Sequence, residues 1–289
     1  MYLNLKENIQ EKLGMEKLFR TLDNISIFKD TQKQCKSDSY LIEAVKKADL
    51  MQEFISGMRE LEEIENCKVY EKAKIVVSKK RTLEAARDYK GKKVCVLNFA
   101  DAVTPGGAVL YGASTQEEAI CRCSTLYENI SKDAILEVFY NPHKLLNVLY
   151  NDDIIYTPDV VVFKEDTSEA KMLPREAWYP VDVITCAAPN LGAITREKRK
   201  QINVFELMML HRARIERILE VAKKKGCEVL ILGAFGCGAF ANPPEIVAKV
   251  FKEALEIYGK YFETVEFAVY CVGEETRNYK IFKEVLEDF

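Results

Sequence analysis

The sequence predicts an α/β protein, a three-layer α/β/α sandwich preceded by a helical amino-terminal extension, and three observations carry that prediction. From residue 74 onward, short runs rich in Val, Ile and Leu recur at Lys74–Ser78, Val94–Phe99, Asp159–Phe163, Val181–Cys186, Val229–Leu232 and Val265–Tyr270. Near-continuous apolar runs of this length suit strands of a sheet covered on both faces. Helical patterns alternate with them, which argues for layers of helix on a sheet. Residues 1–70, in contrast, read as helical and charged throughout.

Each element has its own local signal. In segment 40–62, Leu41, Ile42, Val45, Ala48, Met51, Phe54, Ile55 and Met58 recur at three- and four-residue intervals, the pattern of an amphipathic helix. Residues 204–225 carry an apolar stripe, basic residues in the last turn and a stop at Gly226. Residues 244–258 open at Pro243-Pro244-Glu245 and carry Ile246, Val247, Val250, Phe251, Leu255 and Ile257. Gln116 to about Asn129 reads as one further helix, and the polar stretch 164–176 reads as a surface loop. There is no internal repeat. The boundary between the helical accessory segment and the α/β domain falls between 72 and 73, giving units 1–72 and 73–289.

Composition excludes several function classes. A chain of 289 residues can bury a sizeable core, and 48% apolar with 30% charged residues places it among ordinary globular proteins. A formal charge of -3 gives no electrostatic case for general nucleic-acid binding. The charged amino terminus does not read as a signal peptide, and no apolar run approaches the ~18–20 residues of a membrane helix. Nine cysteines, an odd number without a C-x-x-C pair, read as reduced and mostly buried thiols. A cytoplasmic protein is expected. His143 and His211 lack metal-ligand spacing, so neither a metal nor another cofactor is expected.

Two segments carry candidate chemistry. From Asn98 to Tyr127 a buried-looking strand enters the turn Pro105-Gly106-Gly107, and seven residues after Ala108 come Gln116, Glu117 and Glu118. Adjacent carboxylates beside a flexible loop suggest acid–base chemistry on a ligand that the loop grips. An acidic first helical turn that complements the helix dipole explains the same two residues. From Val229 to Pro244 a strand ends in Gly233, Gly236 and Gly238, then Phe240, then a helix. Such a turn lets backbone N–H groups approach phosphate oxygens, although a tight strand-to-helix turn explains it too. A third strand, Val181–Cys186, leads to Asn190 and Arg196. An Asx-type turn and a solvated cation are their ordinary readings, with contact to a ligand as the alternative.

Taken in order, these segments resemble the microbial-type poly(ADP-ribose) glycohydrolase family, a branch of the macrodomain fold. The signature of that family is a triple-glycine turn followed six to eight residues later by Gln-Glu-Glu. Gly106-Gly107-Ala108 and Gln116-Glu117-Glu118 fit it. Further matches are Thr82–Arg87, Leu97–Ala100, Cys121–Tyr127, Tyr156–Val160, Ala188-Pro189-Asn190 and Gly233–Pro244. The resemblance implies a macrodomain-like sandwich with a mixed sheet over 73–289, and a pocket for ADP-ribose. Asn98, Asp101, Gly106, Gly107, Ala108 and Gln116 would line one side of it. Gly236, Cys237, Gly238 and Ala239 would supply backbone donors from the other, with Phe240 on a sugar. Tyr270, Asn278 and Phe282 are candidates for the adenine end, although core packing explains Tyr270 and Phe282 equally well. Glu118 would be the catalytic acid and base, and Glu117 its partner in holding the ribose. No metal is implied.

The chain departs from the family at Ala108, where the signature has a third glycine, and at Asp101, where the family usually has Asn. The implied activity is release of ADP-ribose from poly(ADP-ribose) or a related ADP-ribosyl conjugate, with an ADP-ribosylated protein as the expected partner. A different mono-ADP-ribosyl linkage, or a module that reads ADP-ribose without cleaving it, are the alternatives. The presence of both Glu117 and Glu118 favours the enzyme.

Overall fold

Five adjacent parallel strands make up most of a seven-stranded mixed sheet in the computed structural model, which describes residues 2–61, 67–287 and 289. In chain order the elements begin with α1 (Tyr2–Ser37), α2 (Ser39–Met51), β1 (Glu53–Ile55), β2 (Lys74–Ser78), α3 (Thr82–Arg87) and β3 (Val94–Phe99). Then come α4 (Gln116–Cys123), α5 (Leu126–Ile130), the short turns α6 (Asp133–Ile135) and α7 (Asn141–His143), β4 (Ile154–Val162) and β5 (Tyr179–Cys186). The chain closes with α8 (Arg196–Lys200), α9 (Val204–Lys224), β6 (Val229–Leu232), α10 (Pro244–Tyr258), β7 (Thr264–Ala268) and α11 (Arg277–Leu286). The strand order is β1-β4-β5-β3-β6-β7-β2, with β1–β4 and β4–β5 antiparallel and every other pair parallel.

Alternate residues of the central strands feed two cores. Cys95 and Leu97 of β3 pack with Ile218 of α9, Phe251 of α10 and Phe282 of α11. Val94 and Val96 pack with Leu83 of α3, Ile120 of α4, Leu126 of α5 and Phe28 of α1. Burial on both faces explains why β6 reads as an unbroken apolar run and β3 as nearly one. Because Phe28 is buried in the second core and meets Tyr127 edge-on at 4.9 Å, α1 is tied to the sheet by about 1.5–3 kcal/mol at this one side chain.

The structure corrects four sequence expectations. The helix expected over 40–62 stops at Met51; Gln52 turns extended, and Glu53–Ile55 pair with β4. An open edge on β4 rewards any available strand, and that tertiary gain overrides the local helical pattern. Positions 62–66 lie outside the described residues. The helix expected over 116–129 is two helices, because Ser124 is extended and bridges to Val162. β4 starts five residues earlier than expected and continues through Pro158. A register shift between Thr157 and Val160 absorbs the proline, with Asp159 at φ 52°. Finally, the polar stretch 164–176 is not wholly superficial, since Lys164 and Asp166 are buried. Among the described residues, no helix is long and apolar enough to cross a membrane.

Candidate active site

The carboxyl ends of β3, β5, β6 and β7 converge, and the loops leaving them build the site. β3 ends beside Asn98, which is fully buried. Its Nδ2 donates to Glu117 Oε1 (3.2 Å) and to Thr185 Oγ1 (3.3 Å), while its Oδ1 has no partner. Asp101 then closes the loop as an Asx turn, its Oδ1 accepting from the N–H groups of Val103 (2.8 Å) and Thr104 (2.9 Å). An Asn at this position would present the same acceptor.

The glycines that follow are demanded by geometry. Gly106 and Gly107 have φ of 68° and 57°, a region costly for side-chain-bearing residues. A β-carbon on Gly106 would meet the Tyr127 ring at 2.8 Å; one on Gly107 would meet Glu118 Oε1 at 2.6 Å and Glu117 Oε2 at 3.1 Å. Ala108 differs. Its φ is −99°, open to any residue, and its N–H donates to Glu118 Oε1 at 3.0 Å. The methyl group that departs from the family signature therefore costs the turn nothing.

Both glutamates are buried at the start of α4. Glu118 is held through Oε1 by Ala108 and through Oε2 by the Thr115 hydroxyl. Glu117 accepts from Asn98 and, through Oε2, from the Asp101 N–H at 2.7 Å. Burial pushes the Glu117 carboxyl well above the usual carboxylate range. Those two donated hydrogen bonds oppose the rise, and the charges of Glu118 and Asp101 add to it. Gln116, expected to touch ligand, spends its amide on the protein. Its Nε2 donates to Leu97 O (2.7 Å) and Thr82 Oγ1 (3.0 Å), and its Oε1 accepts from Phe99 N (2.9 Å). It is a clamp that sets the register of α4 on β3.

The opposite wall is the loop 233–240. Gly236 has φ 71°, and a β-carbon there would lie 2.5 Å from Ala188 Cβ and 2.6 Å from Asn242 Nδ2. The Cys237 N–H is committed to Ala234 O (3.0 Å). Its thiol turns toward Phe235 O, and burial pushes it up to about 12, so Cys237 presents neither a donor nor a nucleophile to the cavity. Among the described residues, the N–H groups of Gly236, Gly238, Ala239 and Phe240 donate to no protein acceptor. Free donors at a glycine turn ahead of a helix are suited to an anion.

Between the walls lies a cavity of about 360 Å³, lined by Thr115, Gln116, Gly238, Phe240, Tyr270 and Asn278 among others. Glu117, Glu118 and the 106–108 turn adjoin it rather than line it, and Thr115 belongs to both groups. Tyr270 is partly exposed at the far end, with the Arg81 guanidinium 4.2 Å from its ring centroid. Phe282 is not at the site. It is fully buried between Phe251 and Phe267, as its helical apolar spacing alone would have required.

Sequence reasoning missed several site residues. Arg81, Thr82 and Asp166 line the cavity. Asp166 Oδ2 accepts from Leu83 N (2.9 Å), its Oδ1 has no hydrogen-bond partner and faces the Arg81 guanidinium at 3.8 Å, and burial pushes its carboxyl up. Asn242 stitches the second wall together. Its Nδ2 donates to Pro189 O (2.8 Å) and Gly236 O (3.0 Å), and its Oδ1 accepts from His211 Nε2 (3.0 Å). No local pattern flags a residue whose partners lie 31 and 53 positions away. Among the described residues, no group of three or more His, Cys, Asp or Glu side chains is placed to hold a metal ion.

Comparison with known proteins bears on this geometry. The family model described as the microbial-type PARG catalytic domain matches residues 21–165, a span that begins inside α1 and includes both glutamates. Among solved structures, the poly(ADP-ribose) glycohydrolase from Thermomonospora curvata is 28% identical over 91% of this chain and 99% of its own, with a TM-score of 0.79. The same enzyme bound to the inhibitor ADP-HPD is 29% identical over 90% and 98%, with a TM-score of 0.76. The poly(ADP-ribose) glycohydrolase from Deinococcus radiodurans in complex with ADP-ribose is 32% identical over 84% and 97%, with a TM-score of 0.73. No curated protein matches the chain.

Proposed function

The chain belongs to the microbial-type PARG catalytic-domain family, and from that premise we propose that it is a poly(ADP-ribose) glycohydrolase with Glu118 as its general acid and base. The observation that carries the residue assignment is the seat of Glu118, buried against a turn that two left-handed glycines and the Ala108 N–H shape around its carboxyl group. A structural glutamate at a helix start needs only its own helix. This one is met by a separate loop whose backbone would have to change if the carboxylate were elsewhere.

In this reading the terminal ADP-ribose lies along the cavity with its adenine toward Tyr270 and Asn278. Its diphosphate sits between Gly106-Gly107 and the free N–H groups of Gly236, Gly238, Ala239 and Phe240. The distal ribose then meets Glu117 and Glu118. Protonated Glu118 gives its proton to the oxygen leaving the anomeric carbon, and the C–O electron pair departs with that oxygen. The oxocarbenium-like centre is stabilised by the neighbouring diphosphate. Glu118, now a carboxylate, takes a proton from the water that adds to the anomeric carbon and is ready for another turnover. One carboxyl serves both steps, in contrast to the paired scheme of most glycosidases. Glu117, held by Asn98 and Asp101, fixes the ribose hydroxyls, where misplacement by about 1 Å can cost ~100-fold in rate.

The acceptor of the ADP-ribose chain is a protein; a net charge of -3 gives nucleic acid no electrostatic support. Buried thiols at Cys95, Cys121, Cys123 and Cys186 support a reducing compartment such as the cytoplasm. Residues 73–289 form the catalytic unit, and 1–72 serve it as an accessory segment that buttresses the glycine turn from behind. Asn24 Nδ2 donates to Gly112 O at 2.9 Å, and Thr31 donates to Arg122 O at 2.5 Å.

The deciding experiment pairs turnover with binding. Glu118→Gln should release no ADP-ribose from poly(ADP-ribose) while binding ADP-ribose within about tenfold of the parent, ~1.4 kcal/mol. Full activity in this variant would overturn the assignment of Glu118. A parent that binds ADP-ribose but cleaves nothing would overturn the enzyme in favour of a reader.

A further inference from the structure

We propose that α8 and Phe205 form a second nucleotide subsite, which holds the diphosphate and adenine of the next ADP-ribose unit on the leaving-group side of the scissile bond. This rests on the hydrolase reading above and names where the rest of the polymer goes.

Placement comes from the sheet. β3, which carries Asn98 and the glutamate loop, lies between β5 and β6, and the cavity extends over β6 and β7 toward Tyr270. A chain whose terminal unit fills that cavity and reacts over β3 must leave across β5. The segment after β5 is pinned to the cavity wall there, since Gly192 N donates to Phe240 O at 2.9 Å and Asn190 Oδ1 accepts from Ala193 N at 3.1 Å. Asn190 thus makes the Asx turn expected of it. Arg196 follows Gly192 by four residues, at most ~14 Å of chain.

The chemistry of this segment suits a nucleotide. α8 reads Arg-Glu-Lys-Arg-Lys, and among the described residues none of Arg196, Lys198, Arg199 and Lys200 has an acidic side-chain partner. The Arg199 Nε is shielded from solvent and has no acceptor at all. Some other surface cations are paired, as in Lys92–Glu263 and Arg212–Glu253, whereas all four of this run lack an acidic partner among the described residues. Phe205, three residues past Ile202 in the first turn of α9, is 67% exposed. A solvated charge run needs no exposed aromatic ring five residues after it in the chain. Cations beside an open aromatic face are the pairing that grips a phosphate backbone and stacks a base.

The test compares a one-unit ligand with a chain. In Arg196→Ala/Lys198→Ala/Lys200→Ala, the KM for poly(ADP-ribose) should rise about tenfold, and its dependence on salt should flatten because fewer phosphate contacts are made. In Phe205→Ala the KM should rise severalfold with the salt dependence intact. The Kd for free ADP-ribose, which lacks the second unit, should stay within twofold in both variants and doubles as a check on folding. An unchanged chain KM and salt dependence would overturn the subsite, as would parallel weakening of ADP-ribose and chain, which would make α8 a prop of the main cavity. If the parent cleaves no chain, the hydrolase reading fails first and the subsite falls with it.

Discussion

Gly107 and Glu118 are built against each other: a β-carbon on Gly107 would lie 2.6 Å from Glu118 Oε1. The contact joins the two halves of the sequence motif into one object, since the loop is glycine in order to let the carboxylate in. Gly107→Ala would force either the loop or Glu118 to move, and its φ of 57° adds a backbone penalty of about 1–2 kcal/mol. The expected result is a loss of stability of that size in a urea titration and a fall in kcat of about 100-fold. Retention of kcat within twofold would show that Glu118 does not depend on this turn.

The two departures from the family signature should prove mild. Ala108 sits at φ −99°, so Ala108→Gly gains no conformational relief and loses the smaller unfolded-state entropy of alanine. It should destabilise by roughly 0.4–1 kcal/mol and leave chain hydrolysis within about threefold. Asp101→Asn keeps the Oδ1 acceptor for Val103 and Thr104, so the loop should survive, with a Tm close to that of the parent. It also removes one of the charges that raise the Glu117 carboxyl. Any change should therefore appear as a downward displacement of the Glu117-dependent limb in a pH–rate profile. A collapse of Tm in Asp101→Asn would contradict the Asx-turn role.

Helix α1 meets the loop before α4 at a separate, local point. Asn24 is buried and supplies the hydrogen bond to Gly112 O, and a β-carbon on Gly112 would strike Thr21 O at 2.3 Å. Asn24→Ala strands a buried carbonyl, at about 1–3 kcal/mol. Because Gly112 lies between the glycine turn and α4, kcat should fall along with stability, while the Kd for ADP-ribose at the opposite wall should change less. Calorimetry and a turnover assay on the same preparation would show whether α1 serves the catalytic turn or only the fold.

What the sequence made legible follows from range. The strands Val94–Phe99 and Val229–Leu232 and the helices α9 and α10 were readable because burial on a face imposes a period on neighbouring residues. Glu117 and Glu118 stood out because their glycine partner, Gly107, lies only ten and eleven positions away. Asn242 gave no signal, since nothing near it in the chain reveals that it bonds Pro189 and His211. Asp166 was hidden inside a polar stretch whose composition says loop. β1 marks the converse error, in which a local helical pattern was outweighed by the pairing of Glu53–Ile55 with an open strand edge, whereas Phe282 packs against Phe267 as its apolar spacing requires.

His211 makes the second wall sensitive to acid. Its Nε2 donates to Asn242 Oδ1 and its Nδ1 has no partner, so the neutral ring is the form that fits. Burial lowers its pKa from 6.5 to about 4, the Asn242 hydrogen bond opposes the fall and the Arg214 charge adds to it. Above pH 6.5 the ring is neutral whether the chain is folded or not, and His211 contributes no pH dependence. Between about 6.5 and 4 the unfolded chain takes up a proton that the folded chain refuses. Stability is therefore lost as pH falls through that window, by up to about 3 kcal/mol. Raised carboxyls such as Glu117 and Asp166 favour the folded state as pH falls, so the parent curve alone mixes opposite signs. His211→Gln isolates the histidine, because the amide can still donate to Asn242 and has no proton to gain. Denaturant titrations at pH 7 and pH 4.5 should show the parent losing more stability than His211→Gln, with the gap closing at pH 7. Equal losses in the two proteins would mean that His211 is protonated in the fold and that the Asn242 clamp does not depend on its neutral form.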